Sequence, residues 1–93
     1  MKMEEIYGKM IEQNGLPNQL VVAVEEYAEL IKEVTKFLRG KGNKLKLIEE
    51  LADVEVVNDQ VMMGVGITKK QVKMFKDFKL KRLEEFYLKE KET

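Results

Sequence analysis

Apolar residues recur along the chain every three or four positions, in stretches separated by glycine, proline and asparagine. Side chains at this spacing share one face of an α-helix, so the pattern predicts helices, and no stretch alternates in the way typical of a β-strand. The breaks delimit a short helix at 2–13 and longer helices at 17–38, 44–63 and 69–89. We therefore predict an all-α fold, a compact helical bundle of three long helices plus a short N-terminal helix.

The residues at the breaks support these boundaries. Gly15 suits the left-handed conformation that ends many helices, and Pro17 suits the first turn of the next one. Asn43 and Thr68 stand where the third and fourth helices begin, and both residue types cap helix N-termini. The last residues, 89–93, are expected to fray.

The second and fourth helices carry clear apolar stripes. Such a stripe predicts a helix face that is covered by other apolar surface, and on the fourth helix we expect it to face inward. The stripe of the second helix consists of Leu20, Val24, Tyr27, Ile31, Val34 and Leu38, and that of the fourth of Val72, Phe75, Leu83 and Phe86.

The length of 93 residues predicts a single domain, 1–93, with a limited core. Its helices carry apolar residues around more than one face, so an isolated copy would leave part of that surface in water. We therefore expect a homo-dimer or homo-tetramer that forms a larger bundle.

Composition narrows the chemistry available to the chain. It contains no cysteine and no histidine, which excludes disulfides, thiolate nucleophiles, the usual zinc sites and histidine bases. No apolar run approaches the ~20 residues that cross a bilayer, and the first residues do not resemble a signal peptide, so we expect no membrane association and a cytoplasmic location. The net charge of zero argues against nucleic acid as a partner. The groups that remain available for catalysis or binding are carboxylates, lysines and a bound hard cation.

Two pairs of carboxylates fall on neighbouring predicted helices. Glu26 and Glu29 lie on one stripe of the second helix, to which Glu33 also belongs. On the third helix Glu50 points into an arc of apolar residues, and Asp53 lies just off the edge of that arc. Because a short loop makes the two helices antiparallel neighbours, the pairs can face each other across the seam.

An ionised carboxylate that is desolvated without a partner costs several kcal/mol, so an inward Glu50 requires a cation or strong donors. An all-oxygen ligand set favours a hard divalent cation, Mg²⁺ with Mn²⁺ as a substitute. The alternative is a solvated acidic face, because the E-x-x-E spacing alone arises easily in a helix rich in glutamate.

At these residues the chain resembles the MazG-like all-α nucleoside triphosphate pyrophosphohydrolases, over roughly 7–85. The family pattern E-x-x-E, spacer, E-x-x-D reads here Glu26-Tyr27-Ala28-Glu29 and Glu50-Leu51-Ala52-Asp53. The resemblance implies that Glu26, Glu29, Glu50 and Asp53 bind Mg²⁺ and take part in catalysis. The implied reaction cleaves a nucleoside triphosphate between its α- and β-phosphates, giving a nucleoside monophosphate and pyrophosphate.

Weaker expectations concern the substrate. Lys79 and Arg82 match a basic family motif on a later helix that contacts phosphate, although a solvated cationic face explains them equally well. Asn58 is one helical turn beyond Asp53, where it can bind substrate or serve as a partnered polar group inside the bundle. Related substrates stay open: phosphoribosyl-ATP, for which the usual histidine is missing, and dUTP or dCTP.

Two functions of other classes compete with the enzyme. The first is a non-catalytic interaction module whose acidic seam is neutralised by Lys or Arg of a partner chain. The second is a small nucleic-acid-binding regulator that uses lysines of the fourth helix. Zero net charge and the absence of a helix-turn-helix pattern count against the regulator. Its lysines would be Lys69, Lys73, Lys76 and Lys79.

Overall fold

A computed structural model of the chain describes residues 2–89. It contains helices α1 (Met3–Asn14), α2 (Leu16–Leu38), α3 (Lys44–Val65) and α4 (Lys69–Tyr87), and no strand occurs in this range. The predicted all-α fold of three long helices plus a short N-terminal helix is confirmed, and each predicted helix end lies within two residues of the observed one. The expected fraying at the C-terminus falls, apart from Lys89, outside the described residues.

The residues expected at the helix ends occupy those places. The Asn43 side chain accepts a hydrogen bond of 2.8 Å from the backbone N–H of Lys46, which caps α3. Thr68 and Gln71 exchange two such bonds and form a capping box at the start of α4. Gly15 has a φ of +83° and lets the chain turn sharply between α1 and α2. These local bonds fix where the long helices begin.

Helices α2 and α3 pack against each other as an antiparallel pair, and α1 packs across one end of it. The α2–α3 seam is unusually polar. Gln19 of α2 donates a hydrogen bond of 3.1 Å to Gln60 of α3, and both side chains are buried. Among the described residues only two hydrophobic side chains, Ala23 and Val57, are buried to the same degree. The apolar core of one copy is therefore very small.

The apolar stripe of α2 faces outward. Val24, Ile31 and Leu38 are 65, 66 and 84% exposed, because α2 turns its glutamate-bearing face toward α3 instead. Helix α4 has no buried residue. Its expected inward residues are all exposed within one copy, which corrects that expectation. They are Val72, Phe75, Leu83 and Phe86.

Helix α4 extends away from the other three helices. The radius of gyration is 17.2 Å and the longest dimension is 60 Å, whereas a compact domain of this length has a radius of gyration of about 12 Å. Within the described residues, no helix has the length and apolar character that crossing a membrane requires.

The turn between α3 and α4 offers a test of local geometry. Gly66 ends α3 in the left-handed region, with φ +78° and ψ +33° and open space around its Cα. We expect Gly66→Ala to lower the free energy of unfolding by about 1–2 kcal/mol, because a Cβ is strained in this conformation. Urea unfolding followed by circular dichroism measures the difference.

Gly8→Ala is the matched control. Gly8 lies inside α1, and an added Cβ would meet Met63 at an ordinary van der Waals distance of 3.7 Å. Alanine there should raise the free energy of unfolding by up to about 1 kcal/mol, through its higher helix propensity. Equal effects of the two substitutions would contradict the conformational explanation.

Candidate metal centre

Three carboxylates from two helices meet in the α2–α3 seam. Glu26 of α2 and Glu50 and Asp53 of α3 each offer one oxygen, and these oxygens lie within 4.8 Å of one another. Glu50 and Asp53 are three residues apart on α3, so they share a face, and the antiparallel pairing brings Glu26 opposite them. The structure thus places three of the four expected metal ligands together. We call Glu26, Glu50 and Asp53 the carboxylate cluster.

Glu50 is the buried member of the cluster, with 4% of its surface exposed. Its Oε1 lies 3.2 Å from the Lys46 ammonium, whereas its Oε2 accepts no hydrogen bond from any described residue. A buried carboxylate oxygen without a partner costs free energy, since it has lost water and gained nothing in exchange. This oxygen is therefore in position to accept a ligand that the protein itself does not supply.

The pKa of Glu26 reflects its position in the same cluster of carboxylates. Partial burial raises the pKa of Glu26 above its ordinary value, and the nearby negative charges of Asp53, Glu50 and Glu29 raise it further. The part of the shift that comes from Asp53 and Glu50 reflects repulsion between ionised carboxylates at short distance. A cation at the cluster would remove this repulsion.

The donor set fits a hard divalent cation. All the available ligand atoms are carboxylate oxygens, which Mg²⁺ prefers over nitrogen or sulfur. Two oxygens bound to one Mg²⁺ at about 2.1 Å can lie no more than about 4.2 Å apart. The three oxygens lie within 4.8 Å of one another, so small side-chain rotations of the exposed Asp53 or of the half-buried Glu26 suffice to bring any wider pair within this limit.

Glu29, the fourth expected ligand, is not part of the cluster. It is exposed, and Glu33 is the buried glutamate on α2, at 5% exposure. The reason is helical rotation: seven residues bring Glu33 to within about 20° of the direction of Glu26, whereas three residues leave Glu29 about 60° away. Glu33 forms an ion pair of 3.6 Å with Lys36. Spacing along α2 was the signal that could have placed Glu33 in the seam.

Lys46 is a residue whose role the sequence pattern did not reveal. Its ammonium lies between Glu50, at 3.2 Å, and Glu49, at 3.8 Å. The hydrogen bond and charge of Glu50 raise the pKa of Lys46, and Glu49 and Glu33 add to the shift, so Lys46 stays protonated. The spacing of four residues between Lys46 and Glu50 was a usable signal, because side chains at that spacing meet on a helix.

A groove with a volume of about 850 Å³ lies between α3 and the first half of α4, and one residue of α2 also lines it. Tyr27, the residue after Glu26, donates a hydrogen bond of 2.5 Å to the side chain of Asn58 at the wall of this groove. Asn58 therefore has a hydrogen-bond partner within the chain, although its side chain is exposed and not inside the bundle. The lysines that line the groove are Lys69, Lys73 and Lys76.

Lys79 and Arg82, the expected phosphate ligands, lie elsewhere. They line a separate shallow groove with Leu83, Phe86 and Tyr87, all of them residues of α4. Because α4 extends away from the helix pair, a single copy does not bring these two cations to the carboxylate cluster.

Comparison of the chain with protein-family models, with curated proteins and with solved structures gives no match. The functional argument for this chain therefore depends on the chemistry of its own residues. The features that bear on it are the buried oxygen of Glu50, the repulsion at Glu26 and the lysines of the neighbouring groove.

Lys46→Met tests how Glu50 is neutralised. Without the ammonium, Glu50 keeps its burial but loses its ion pair, so the melting temperature without Mg²⁺ should fall. Millimolar Mg²⁺ should then raise the melting temperature more in Lys46→Met than in the wild type, because the cation replaces a lost charge. Lys44→Met, which removes an exposed lysine on the same turn without a described ion pair, is the control. Identical Mg²⁺ shifts in both variants would contradict this role.

The raised pKa of Glu26 predicts a pH dependence. Between the ordinary pKa of 4.5 and the raised native value, the unfolded chain has released a proton that the native state still holds. The free energy of unfolding without Mg²⁺ should therefore fall as the pH rises through this window. Mg²⁺ competes with that proton, so its stabilising effect should grow over the same window.

Urea unfolding in chelator and in Mg²⁺, at a series of pH values, measures both trends. Glu26→Gln should flatten them, whereas Glu25→Gln, a change at the exposed neighbouring residue, should leave them in place. A Mg²⁺ effect that is independent of pH would contradict competition at the cluster.

Proposed function

We propose that the chain is a Mg²⁺-dependent nucleoside triphosphate pyrophosphohydrolase of the MazG-like type, which releases a nucleoside monophosphate and pyrophosphate. The observation that carries the proposal is the buried Glu50, whose Oε2 has no partner among the described residues, beside the carboxylates of Glu26 and Asp53. A structural ion pair alone leaves that oxygen unexplained. The resemblance of the two acidic motifs to this family supplies the reaction.

In this proposal Glu26, Glu50 and Asp53 hold the cation between α2 and α3. When bound, Mg²⁺ supplies positive charge for the phosphate oxygens and favours ionisation of an attacking water. Lys46 keeps Oε1 of Glu50 engaged, so that Oε2 remains directed away from it. The fixed helix pair positions these groups before substrate arrives, which is the arrangement that stabilises developing charge most effectively.

Glu29 keeps a separate role in the proposal. It is exposed and close enough to Glu26 for its charge to raise the Glu26 pKa. A carboxylate that is not buried with the cluster is free to accept a hydrogen bond from water, and we assign to Glu29 the orientation of the attacking water. No histidine or cysteine of the chain competes for this task.

The triphosphate requires cations on the protein side. The groove between α3 and α4 is about 850 Å³ in volume and presents Lys69, Lys73 and Lys76, and Tyr27, the residue after Glu26, also lines it. Lys73 forms an ion pair of 2.6 Å with Asp77, whereas Lys69 and Lys76 have no ion pair among the described residues. We propose Lys69 and Lys76 as phosphate contacts in one copy, with Lys79 and Arg82 as contacts only if a second copy supplies them.

A non-catalytic interaction module is the second candidate, and one observation favours it. The ion pair between Lys46 and Glu50 already neutralises part of the acidic seam within the chain. In that case the cluster needs no metal, and its carboxylates contribute to the packing and charge of the bundle. The two candidates differ in whether nucleotide is consumed.

Product analysis tests the enzyme directly. Purified protein is incubated with Mg²⁺ and a panel of common and damaged nucleoside triphosphates, dUTP, dCTP and phosphoribosyl-ATP, and products are separated by chromatography. We expect monophosphate and pyrophosphate from at least one of them. Glu50→Gln should lower kcat/KM by about 100-fold or more, through loss of a ligand charge in the transition state.

Glu25→Gln is the matched control for that experiment, because Glu25 is an exposed neighbour of Glu26 and does not belong to the cluster. It should keep wild-type activity. No turnover of any compound at millimolar Mg²⁺, in folded wild-type protein, would contradict the enzymatic proposal and favour the interaction module.

A further inference from the structure

Side-chain hydrogen bonds join α1, α2 and α3 at the end of the helix pair that lies opposite the α2–α3 loop. Gln19 of α2 donates a bond of 3.1 Å to Gln60 of α3, and the two side chains are only 4% and 5% exposed. Helix α1 supplies a partner for each of them. Asn14 donates to Gln19 at 3.3 Å, and Gln60 donates to the sulfur of Met10 at 3.3 Å. We call Gln19 and Gln60 the amide pair.

The amide pair lies in register with the carboxylate cluster. Side chains seven residues apart on a helix point in nearly the same direction, about 10.5 Å apart along the axis. Seven residues after Gln19 on α2 comes Glu26, and seven residues before Gln60 on α3 comes Asp53. Because the helices are antiparallel, the two steps lead the same way in space. The structure accordingly places oxygens of Glu26 and Asp53 within 4.8 Å of each other.

A further step of seven residues leads to a third polar level. It reaches Glu33 on α2 and Lys46 on α3. These charges act on each other, since Glu33 is among the carboxylates that raise the pKa of Lys46. The seam thus has three polar levels at one spacing, with two carboxylates of the cluster in the middle. The α2–α3 loop closes the helix pair next to the third level, and the amide pair joins the helices at the open end.

A buried amide pair specifies the alignment of two helices more strictly than apolar side chains do. An apolar side chain packs acceptably against several neighbours, whereas a buried amide that is shifted by one helical turn loses its hydrogen-bond partner. Single buried polar residues fix the register of coiled coils in this way, at a cost in stability. The middle level cannot align itself, because two ionised carboxylates repel each other when no cation is present. The alignment is therefore supplied by the levels on either side.

We propose that Gln19 and Gln60 are positioning residues that fix the register of α2 against α3. This register brings the Glu26 carboxylate to the two carboxylates of α3 before a cation binds, so that binding does not have to align the helices. Neither amide belongs to the cluster, and each acts through the helix that holds a ligand, about 10.5 Å away. The inference rests on the proposed function for the presence of a cation, whereas the register itself is tested without one.

Replacing both amides by leucine tests the effect on metal affinity. Gln19→Leu with Gln60→Leu exchanges the amide pair for an apolar pair of similar volume, so the melting temperature should stay the same or rise. Mn²⁺ binding, followed by the electron paramagnetic resonance of the free ion, should nevertheless weaken by about tenfold or more, as for other changes behind metal ligands. Structural damage would lower both quantities together, whereas a lost register separates them.

Two controls accompany the double variant. Gln19→Leu alone leaves the buried Gln60 oxygen without its donor, so its melting temperature should fall below that of the double variant. Gln13→Leu makes the same change at an exposed glutamine of α1, and should leave the Mn²⁺ affinity and the melting temperature near those of the wild type.

Disulfide trapping measures the register without a metal. The natural chain has no cysteine, and Ala23 and Val57 are buried apolar residues that come between the amide pair and the cluster along their helices. With the amide pair intact, Ala23→Cys should form an intramolecular disulfide with Val57→Cys far faster than with Val61→Cys, which is one helical turn away. In the leucine double variant this preference should be largely lost, because the helices can then shift.

The outcomes separate the register from the metal site. A double variant that keeps the wild-type Mn²⁺ affinity would overturn the proposal, and so would one that keeps the full preference for the disulfide at Val57→Cys. Wild-type protein that binds no Mn²⁺ would contradict the metal site and the proposed function. The disulfide preference would then decide alone whether the amide pair sets the register.

Discussion

The central constraint on the α2–α3 seam is that it contains a buried carboxylate, that of Glu50. It is 4% exposed in the seam, and Lys46, four residues earlier on the same helix, partners only one of its oxygens. The other oxygen lies beside Glu26 and Asp53, where negative charge accumulates. An apolar side chain at this position would stabilise the seam more simply, so a buried carboxylate indicates selection for something other than stability. Cation binding is the role that we propose for it.

The same polar seam explains why one copy buries so little apolar surface. A helix pair that buries Gln19, Glu33, Glu50 and Gln60 has little room for apolar side chains, and only Ala23 and Val57 are comparably buried among the described hydrophobic residues. The apolar stripes of α2 and α4 consequently lie on the outside. The carboxylate cluster in the seam and the apolar stripes on the outer surface thus follow from one cause, the use of the α2 face toward α3 for charged and polar groups.

The sequence predicted the helices and all three members of the carboxylate cluster, because both depend on local spacing. Helix ends followed from residues such as Asn43 and Thr68, whose caps are local hydrogen bonds. Glu50 and Asp53 were placed by rotation along a single helix. Spacing within one helix did not predict how whole helices are oriented. Helix α2 is amphipathic whichever of its faces packs against α3. The residues of α4 do not indicate the direction in which that helix leaves the turn after α3. The exclusion of Glu29 from the cluster depends on both orientation and spacing, because the rotation of α2 points Glu26 into the seam and the three-residue spacing then leaves Glu29 about 60° from that direction.

Metal binding at Glu50 can be measured without assuming any substrate. Free Mn²⁺ gives an electron paramagnetic resonance signal that is lost when the ion binds to protein, and Mn²⁺ replaces Mg²⁺ at sites made of carboxylates. Titration of the wild-type protein should remove the signal with a stoichiometry of at least one ion per chain, and Mg²⁺ should restore it by competition. Glu50→Gln should bind at least tenfold more weakly, roughly the loss expected for removal of one charged ligand. Equal Mn²⁺ binding by the wild type and by Glu50→Gln, or none by either, would contradict a metal site at this carboxylate.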